Sequence, residues 1–249
     1  FKLTNDQVKA VNEINKDLKS NKKMFRLLQG DVGSGKTIVS LVTSLNVINS
    51  GYQVSFMAPT EILAKQHYTL AKKIFENDIN IQLLTGKTKY KIKRTIIEDL
   101  KNNKIQMLIG THSLFQEKII YNNLGLVIID EQHKFGVRQR KNLSDKGGKS
   151  CDVLVMSATP IPRTMVMTVF GDMDVSIIKE KPKNRKDIKT YSKVENNIKD
   201  VINFVKKEVG KNNQVFWVCP LIEESKKVDH QSSIERYKHL KKFFNNNVG

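Results

Sequence analysis

Between an apolar run (Phe25, Leu27, Leu28) and a helical pattern over residues 38–48 lies the stretch Gln29-Gly30-Asp31-Val32-Gly33-Ser34-Gly35-Lys36-Thr37. Glycine, four residues, then Gly-Lys-Thr is the P-loop pattern, and it works only where a strand feeds a tight loop that opens a helix. Glycines let backbone N–H groups turn inward around phosphate oxygens, at a helix terminus whose partial positive charge already attracts anions. Lys36 adds a point charge for the β- and γ-phosphates, and the Thr37 hydroxyl can ligate Mg²⁺. The stretch therefore predicts a nucleoside-triphosphate site built from Gly30, Asp31, Val32, Gly33, Ser34, Gly35, Lys36 and Thr37. A Gly-rich turn that binds nothing is the weaker reading, because spacing and context both match.

The rest of the chain repeats the same strand–helix rhythm. Strand-like runs fall at residues 24–28, 54–58, 81–84, 107–109, 126–129, 153–156 and 175–178. Helical patterns at 36–48, 62–75, 89–101 and 163–170 separate most of them, and Thr4 suits the N-cap of a first helix carrying Val8, Val11, Ile14 and Leu18. Several strand runs are apolar throughout, as expected when helices cover both faces of a parallel sheet. The prediction is an α/β, doubly wound parallel sheet of the P-loop NTPase kind, with ligands at the carboxyl ends of its strands.

A triphosphate site also needs carboxylates, and Leu126-Val127-Ile128-Ile129-Asp130-Glu131-Gln132-His133 supplies them. Four apolar residues make a buried strand that delivers two acids to the edge where the P-loop lies. Asp130 is the expected Mg²⁺ ligand and Glu131 the base or positioner for the attacking water, so Lys36, Asp130 and Glu131 form the catalytic set. An acidic pair after a strand also serves as a helix cap, but its pairing with a P-loop favours chemistry. Ser157-Ala158-Thr159-Pro160 follows the strand at 153–156 and is the third block.

Composition narrows the partners. The 249 residues carry 43 Lys and Arg against 25 Asp and Glu, a net charge of +18. Such an excess points to a polyanion, although a Lys-rich surface is also a common solvated background. No apolar run is long enough for a transmembrane helix, and the first residues lack a signal-peptide core, so no membrane partner is expected. Cys151 and Cys219 are far apart and in apolar surroundings, which suits buried reduced thiols in a cytoplasmic protein rather than a disulfide. The chain starts at Phe1 without an initiator Met and reads as an excised piece.

Together these blocks resemble the superfamily 2 helicases, and among them the RecG-type DNA helicases. The likeness runs through Phe1-Lys2-Leu3-Thr4 with Gln7, the P-loop, Ala58-Pro59-Thr60-Glu61-Ile62-Leu63-Ala64, Leu84-Thr85-Gly86 and Gly110-Thr111-His112-Ser113-Leu114-Phe115-Gln116. It continues through Asp130-Glu131-Gln132-His133-Lys134-Phe135-Gly136, residues 157–164 and Cys219-Pro220-Leu221-Ile222-Glu223-Glu224-Ser225. Lys134 and Ser157 depart mildly from the usual Arg and Thr. Beyond a charged run containing Pro182, the alternation itself restarts, with strands near 188–194 and 214–220 and helices near 198–209 and 233–244. The resemblance implies a RecA-like lobe over residues 1–180, a linker over 181–187, and the beginning of a second RecA-like lobe over 188–249. It implies Gln7 as an adenine-sensing glutamine, and Gln132, His133, Ser157 and Thr159 as residues coupling ATP to DNA. Pro59, Thr60, Thr85, Gly86, Thr111 and His112 would contact the DNA backbone.

By the same resemblance, the activity is ATP- and Mg²⁺-dependent helicase action or duplex translocation on branched DNA (stalled forks and Holliday junctions) in recombination and repair, by a monomer at the bacterial nucleoid. Two alternatives stay open: an ATP- and DNA-binding piece too incomplete for turnover, and a translocase of the transcription-repair-coupling type. Arginine fingers of the second lobe are expected beyond residue 249. A small-substrate P-loop kinase has no use for the Asp-Glu-Gln-His and Ser-Ala-Thr blocks, which argues against that reading.

Overall fold

The computed structural model describes residues 2–76, 78–130, 151–159, 173–180, 188–194, 197–219, 233–244 and 248. The chain divides into two compact units, residues 1–185 and 186–249. In the first, helix α1 (Asn5–Leu18) opens the chain and is capped by Thr4, whose side chain accepts the Gln7 N–H. Then come β1 (Phe25–Gly30), α2 (Lys36–Asn49), β2 (Gln53–Met57), α3 (Glu61–Phe75), β3 (Ile81–Leu84), α4 (Tyr90–Lys101), β4 (Met107–Gly110), a 3₁₀ turn (His112–Phe115), β5 (Leu124–Asp130), β6 (Asp152–Ser157) and β7 (Asp174–Ile178). Each strand and each of these helices falls where the sequence pattern places it, within a residue or two at the ends. The helix expected at 163–170 and the linker at 181–187 lie outside the described residues.

The strands form one seven-stranded sheet in the order β3-β4-β2-β5-β6-β1-β7, with every pair parallel. The apolar runs explain it. In β5, Leu126 and Ile128 point into a core with Val11 and Ile14 of α1, Val39 and Val47 of α2, and Ala64 and Phe75 of α3. Val127 and Ile129 point the other way, into a core with Ile96 and Leu100 of α4 and Leu114 of the 3₁₀ turn. Covering both faces removes the polar alternation that a half-exposed strand needs. Helix α2 packs deeply despite its hydroxyl residues because Thr43 and Ser44 donate to the carbonyls of Val39 and Ser40, four residues back.

The second unit contains α5 (Ile198–Gly210) and α6 (Ser233–Phe244), as the periodicity predicts. The strands expected near 188–194 and 214–220 are absent: the described residues in both segments form no ladder. A strand exists only through hydrogen bonds to a neighbour, and here Phe216 and Val218 are each 88% exposed. Cys219 is half-buried, unlike the fully buried Cys151, whose thiol burial pushes up to about 12.

Candidate nucleotide site and nucleic-acid edge

The P-loop turn follows β1 directly. Gly33 and Gly35 adopt φ of 74° and 92°, the left-handed region that only glycine enters without strain. Ser34 N–H donates to the Asp31 carbonyl at 3.1 Å and Val32 N–H to the Asp31 carboxylate at 2.8 Å, which curls the loop. Lys36, at the first position of α2 and 8% exposed, folds its Nζ onto the carbonyls of Gly30 (2.7 Å) and Asp31 (3.1 Å). The ammonium thus lies within the cradle formed by the loop. The Ser34 hydroxyl is buried with no hydrogen-bond partner among the described residues. A phosphate would give the Ser34 hydroxyl the partner it lacks among the described residues, so the loop fits an anion of that kind.

Gln7 is committed more fully than the sequence suggests. It is 3% exposed, and its Oε1 accepts the Thr4 N–H at 3.0 Å, completing a capping box with Thr4. Its Nε2 donates to the Ser34 carbonyl at 2.8 Å. The side chain fills the space that a Cβ on Gly35 would occupy. Helix α1 therefore braces the P-loop through one amide.

The strand order decides what lies beside the loop. β6 sits between β1 and β5, so the Ser157–Thr159 block separates the P-loop from Asp130. Ser157 pairs in register with Gln29 and Met156 with Asp130. Ser157 and Thr159 hydroxyls meet at 2.9 Å, Thr159 N–H donates to Ser157 Oγ at 3.2 Å, and Gln29 Nε2 donates to the Thr159 carbonyl at 3.4 Å. This block touches the residue just ahead of Gly30. Glu131, Gln132 and His133 lie outside the described residues.

Asp130 ends β5 and is 8% exposed. Its Oδ2 accepts a hydrogen bond from His67 Nε2 at 2.8 Å, and Oδ1 makes none among the described residues. His67 belongs to α3 and was not legible as a site residue. The only signal was its position on the buried face of that helix with Ala64, Ala71 and Phe75. No group of three or more His, Cys, Asp or Glu residues gathers among the described residues. A Mg²⁺ bound with a triphosphate does not need one, since that cation takes one or two protein oxygens and completes its shell from phosphate and water. The Thr37 hydroxyl and the Asp130 carboxylate are hard oxygen donors of that kind, and they fit.

The remaining candidates occupy the other flank of the same sheet edge. β3, β4 and β2 are consecutive neighbours, and their carboxyl ends carry Thr85-Gly86, Thr111-His112 and Pro59-Thr60 respectively. Thr60 is exposed and caps α3 by accepting the Leu63 N–H at 3.3 Å. Gly86 and His112 are exposed, whereas Thr85 and Thr111 are 7% and 8% exposed. Thr111 N–H leans on the Leu84 carbonyl, which Ser113 Oγ also bonds at 2.9 Å. The structure brings all six residues to one edge, but the two buried threonines offer little side chain to a ligand.

A family model described as DEAD/DEAH box helicase matches residues 4–168, about two thirds of the chain. The chain belongs to that helicase family. It is 49% identical to the ATP-dependent DNA helicase RecG of Aquifex aeolicus over 246 residues, covering 98% of this chain and 31% of that protein. The RecG of Bacillus subtilis is 48% identical over 252 residues, covering 100% and 37%. A solved structure of RecG bound to a three-way DNA junction superposes with a TM-score of 0.79 at 43% identity, over 97% of this chain and 31% of that one. The DEAD-box helicase Mss116, at 18% identity and a TM-score of 0.59, shares the fold. The 249 residues span about a third of the length of the RecG proteins they match.

Proposed function

We propose that the intact protein is an ATP-dependent DNA helicase or duplex translocase acting on branched DNA in recombination and repair. The reading rests chiefly on likeness along nearly the whole chain to RecG, including the RecG bound to a three-way junction. In it, the P-loop amides and Lys36 hold the triphosphate, and Thr37 and Asp130 hold Mg²⁺, which supplies charge neutralisation at the transferred phosphoryl group. Lys36 exchanges its two loop carbonyls for phosphate oxygens when nucleotide enters. Glu131 orients the attacking water. Gln7 keeps one Nε2–H beyond its bond to Ser34, enough for a single contact to an adenine ring nitrogen.

Ser157 and Thr159, with Gln132 and His133, couple the nucleotide flank to the DNA flank. Pro59, Thr60, Gly86 and His112 meet the phosphate backbone, with Thr85 and Thr111 shaping the loops behind them. Contacts of this sort position a duplex without reading its bases, and the +18 charge supports them. We further propose that the protein works as a monomer in the bacterial cytoplasm, at the nucleoid; no described helix is long and apolar enough to cross a membrane.

Turnover belongs to the two-lobe protein, because an arginine finger reaching over the phosphates contributes about 10³–10⁵ in rate. ATP hydrolysis by the full-length protein, measured with three-way junction DNA, linear duplex or no DNA, is the test. Junction DNA should stimulate the full-length protein most, while the 249-residue chain binds nucleotide with little hydrolysis. A full-length protein indifferent to junctions would overturn the branched-DNA reading. Strong stimulated hydrolysis by the 249-residue chain would overturn the need for a second-lobe arginine.

A further inference from the structure

We propose that His67 is a positioning residue for Asp130: it holds one carboxylate oxygen and thereby turns the other toward the divalent cation. The inference rests on the reading above that Asp130 is a Mg²⁺ ligand. Asp130 sits at the very end of its strand, where the terminal carboxylate torsion is broad and roughly two-fold. A single hydrogen bond of 2.8 Å from His67 Nε2 to Oδ2 removes that freedom, and both residues are only 8% exposed. The imidazole is itself fixed. Its ring rests on Phe56 of β2 with centroids 4.7 Å apart and planes at 42°, and Phe56 pairs with Ile128 of β5, two residues before Asp130. Strand, ring and carboxylate form one packed unit.

Hydrogen-bonded partners behind a metal's ligands commonly set ligand orientation, and losing one costs about 10–100-fold in metal affinity. The bond also spans the two flanks of the sheet edge. His67 is carried by α3, whose N-cap is the candidate DNA-contacting Thr60, whereas Asp130 belongs to the nucleotide flank. A shift of α3 is therefore felt directly at the carboxylate. A purely structural histidine, satisfied by whatever acceptor lies near, would make the same contact without affecting the cation.

The test is binding of a fluorescent ATP analogue to the full-length protein, titrated with Mg²⁺ and repeated in EDTA. His67→Phe keeps a ring against Phe56 and removes the donor, while His67→Gln restores an N–H at similar reach. His67→Phe should raise the Mg²⁺ concentration for half-maximal binding roughly tenfold, leave binding in EDTA unchanged, and be reversed by His67→Gln. His67→Leu supplies the donor-free arm if the phenylalanine variant does not fold. An unchanged Mg²⁺ requirement, or equal losses with and without Mg²⁺, would overturn the proposal. Asp130→Asn separates the two readings: if it too leaves the Mg²⁺ requirement untouched, the assignment of Asp130 has failed rather than the role of His67.

Discussion

At Gly35 two demands coincide: a backbone at φ 92°, and no room for a side chain because Gln7 Nε2 occupies the place of a Cβ. Gly51 shares the first demand (φ 86°) but has open space around it. The pair separates strain from clash. Gly51→Ala should destabilise the protein by about 1–2 kcal/mol, the usual cost of a left-handed non-glycine residue, and leave nucleotide binding alone. Gly35→Ala should cost more than that and also weaken binding of a fluorescent ATP analogue, since Gln7 must give up its bond to the Ser34 carbonyl. Thermal unfolding and a nucleotide titration on both variants check this; equal behaviour would mean that Gln7 does not brace the loop. The P-loop itself was readable from residue types and spacing. That Gln7 braces it was not, because the contact joins residues 27 positions apart.

Helix α1 is tied to the sheet by two polar clips as well as by its apolar face. Arg26 of β1 is 8% exposed and bonds Asp17 at 2.6 Å and Ser176 of β7 at 3.0 Å, while Ser176 in turn donates to Glu13. At the helix start, the Asp6 carboxylate accepts the N–H groups of Glu180 (2.9 Å) and Lys179 (2.8 Å), just after β7. These two bonds hold its pKa below the ordinary value of 3.8, with a smaller opposing push from burial. A carboxyl whose folded pKa is depressed stabilises the fold above its unfolded pKa, and that contribution disappears as pH falls through the lower folded value. Asp6→Asn should therefore lower the melting temperature at neutral pH, and the gap from wild type should shrink below pH 3.8. A constant gap across that range would show that the charge of Asp6 contributes nothing. Such clips are invisible in a hydrophobic pattern, which reports only the apolar stripe of α1.

Across the whole molecule the two units differ in what they bury. Residues 1–185 enclose a core on each face of a seven-stranded sheet, whereas the described hydrophobic residues buried within 186–249 are Ile202 and Leu240. Phe204, Phe216, Val218 and Phe243 of the second unit are all exposed, at 42% or more. Local opening free energy follows buried apolar contact. Limited proteolysis of the 249-residue chain should therefore cut first within 186–249 and leave a resistant product close to residues 1–185. Mass spectrometry of a time course checks this, and early cuts in β1 to β6 would contradict it.

Local pattern alone determined the fold class, the extents of the strands in the first unit, the described helices of both units, the glycine-rich loop after β1 and the strand that ends at Asp130. These are properties of short windows, where apolar periodicity and glycine placement constrain the backbone directly. The same rule over-reached at 188–194 and 214–220, because β-rich composition cannot supply the partner that a strand requires. Only the tertiary structure decided that β6 stands between the P-loop and Asp130, that three strand ends group the nucleic-acid candidates on one flank, and that His67 reaches Asp130 63 residues away. Those facts depend on strand order and on the packing of α3 against the sheet, which join segments that no sequence window contains together.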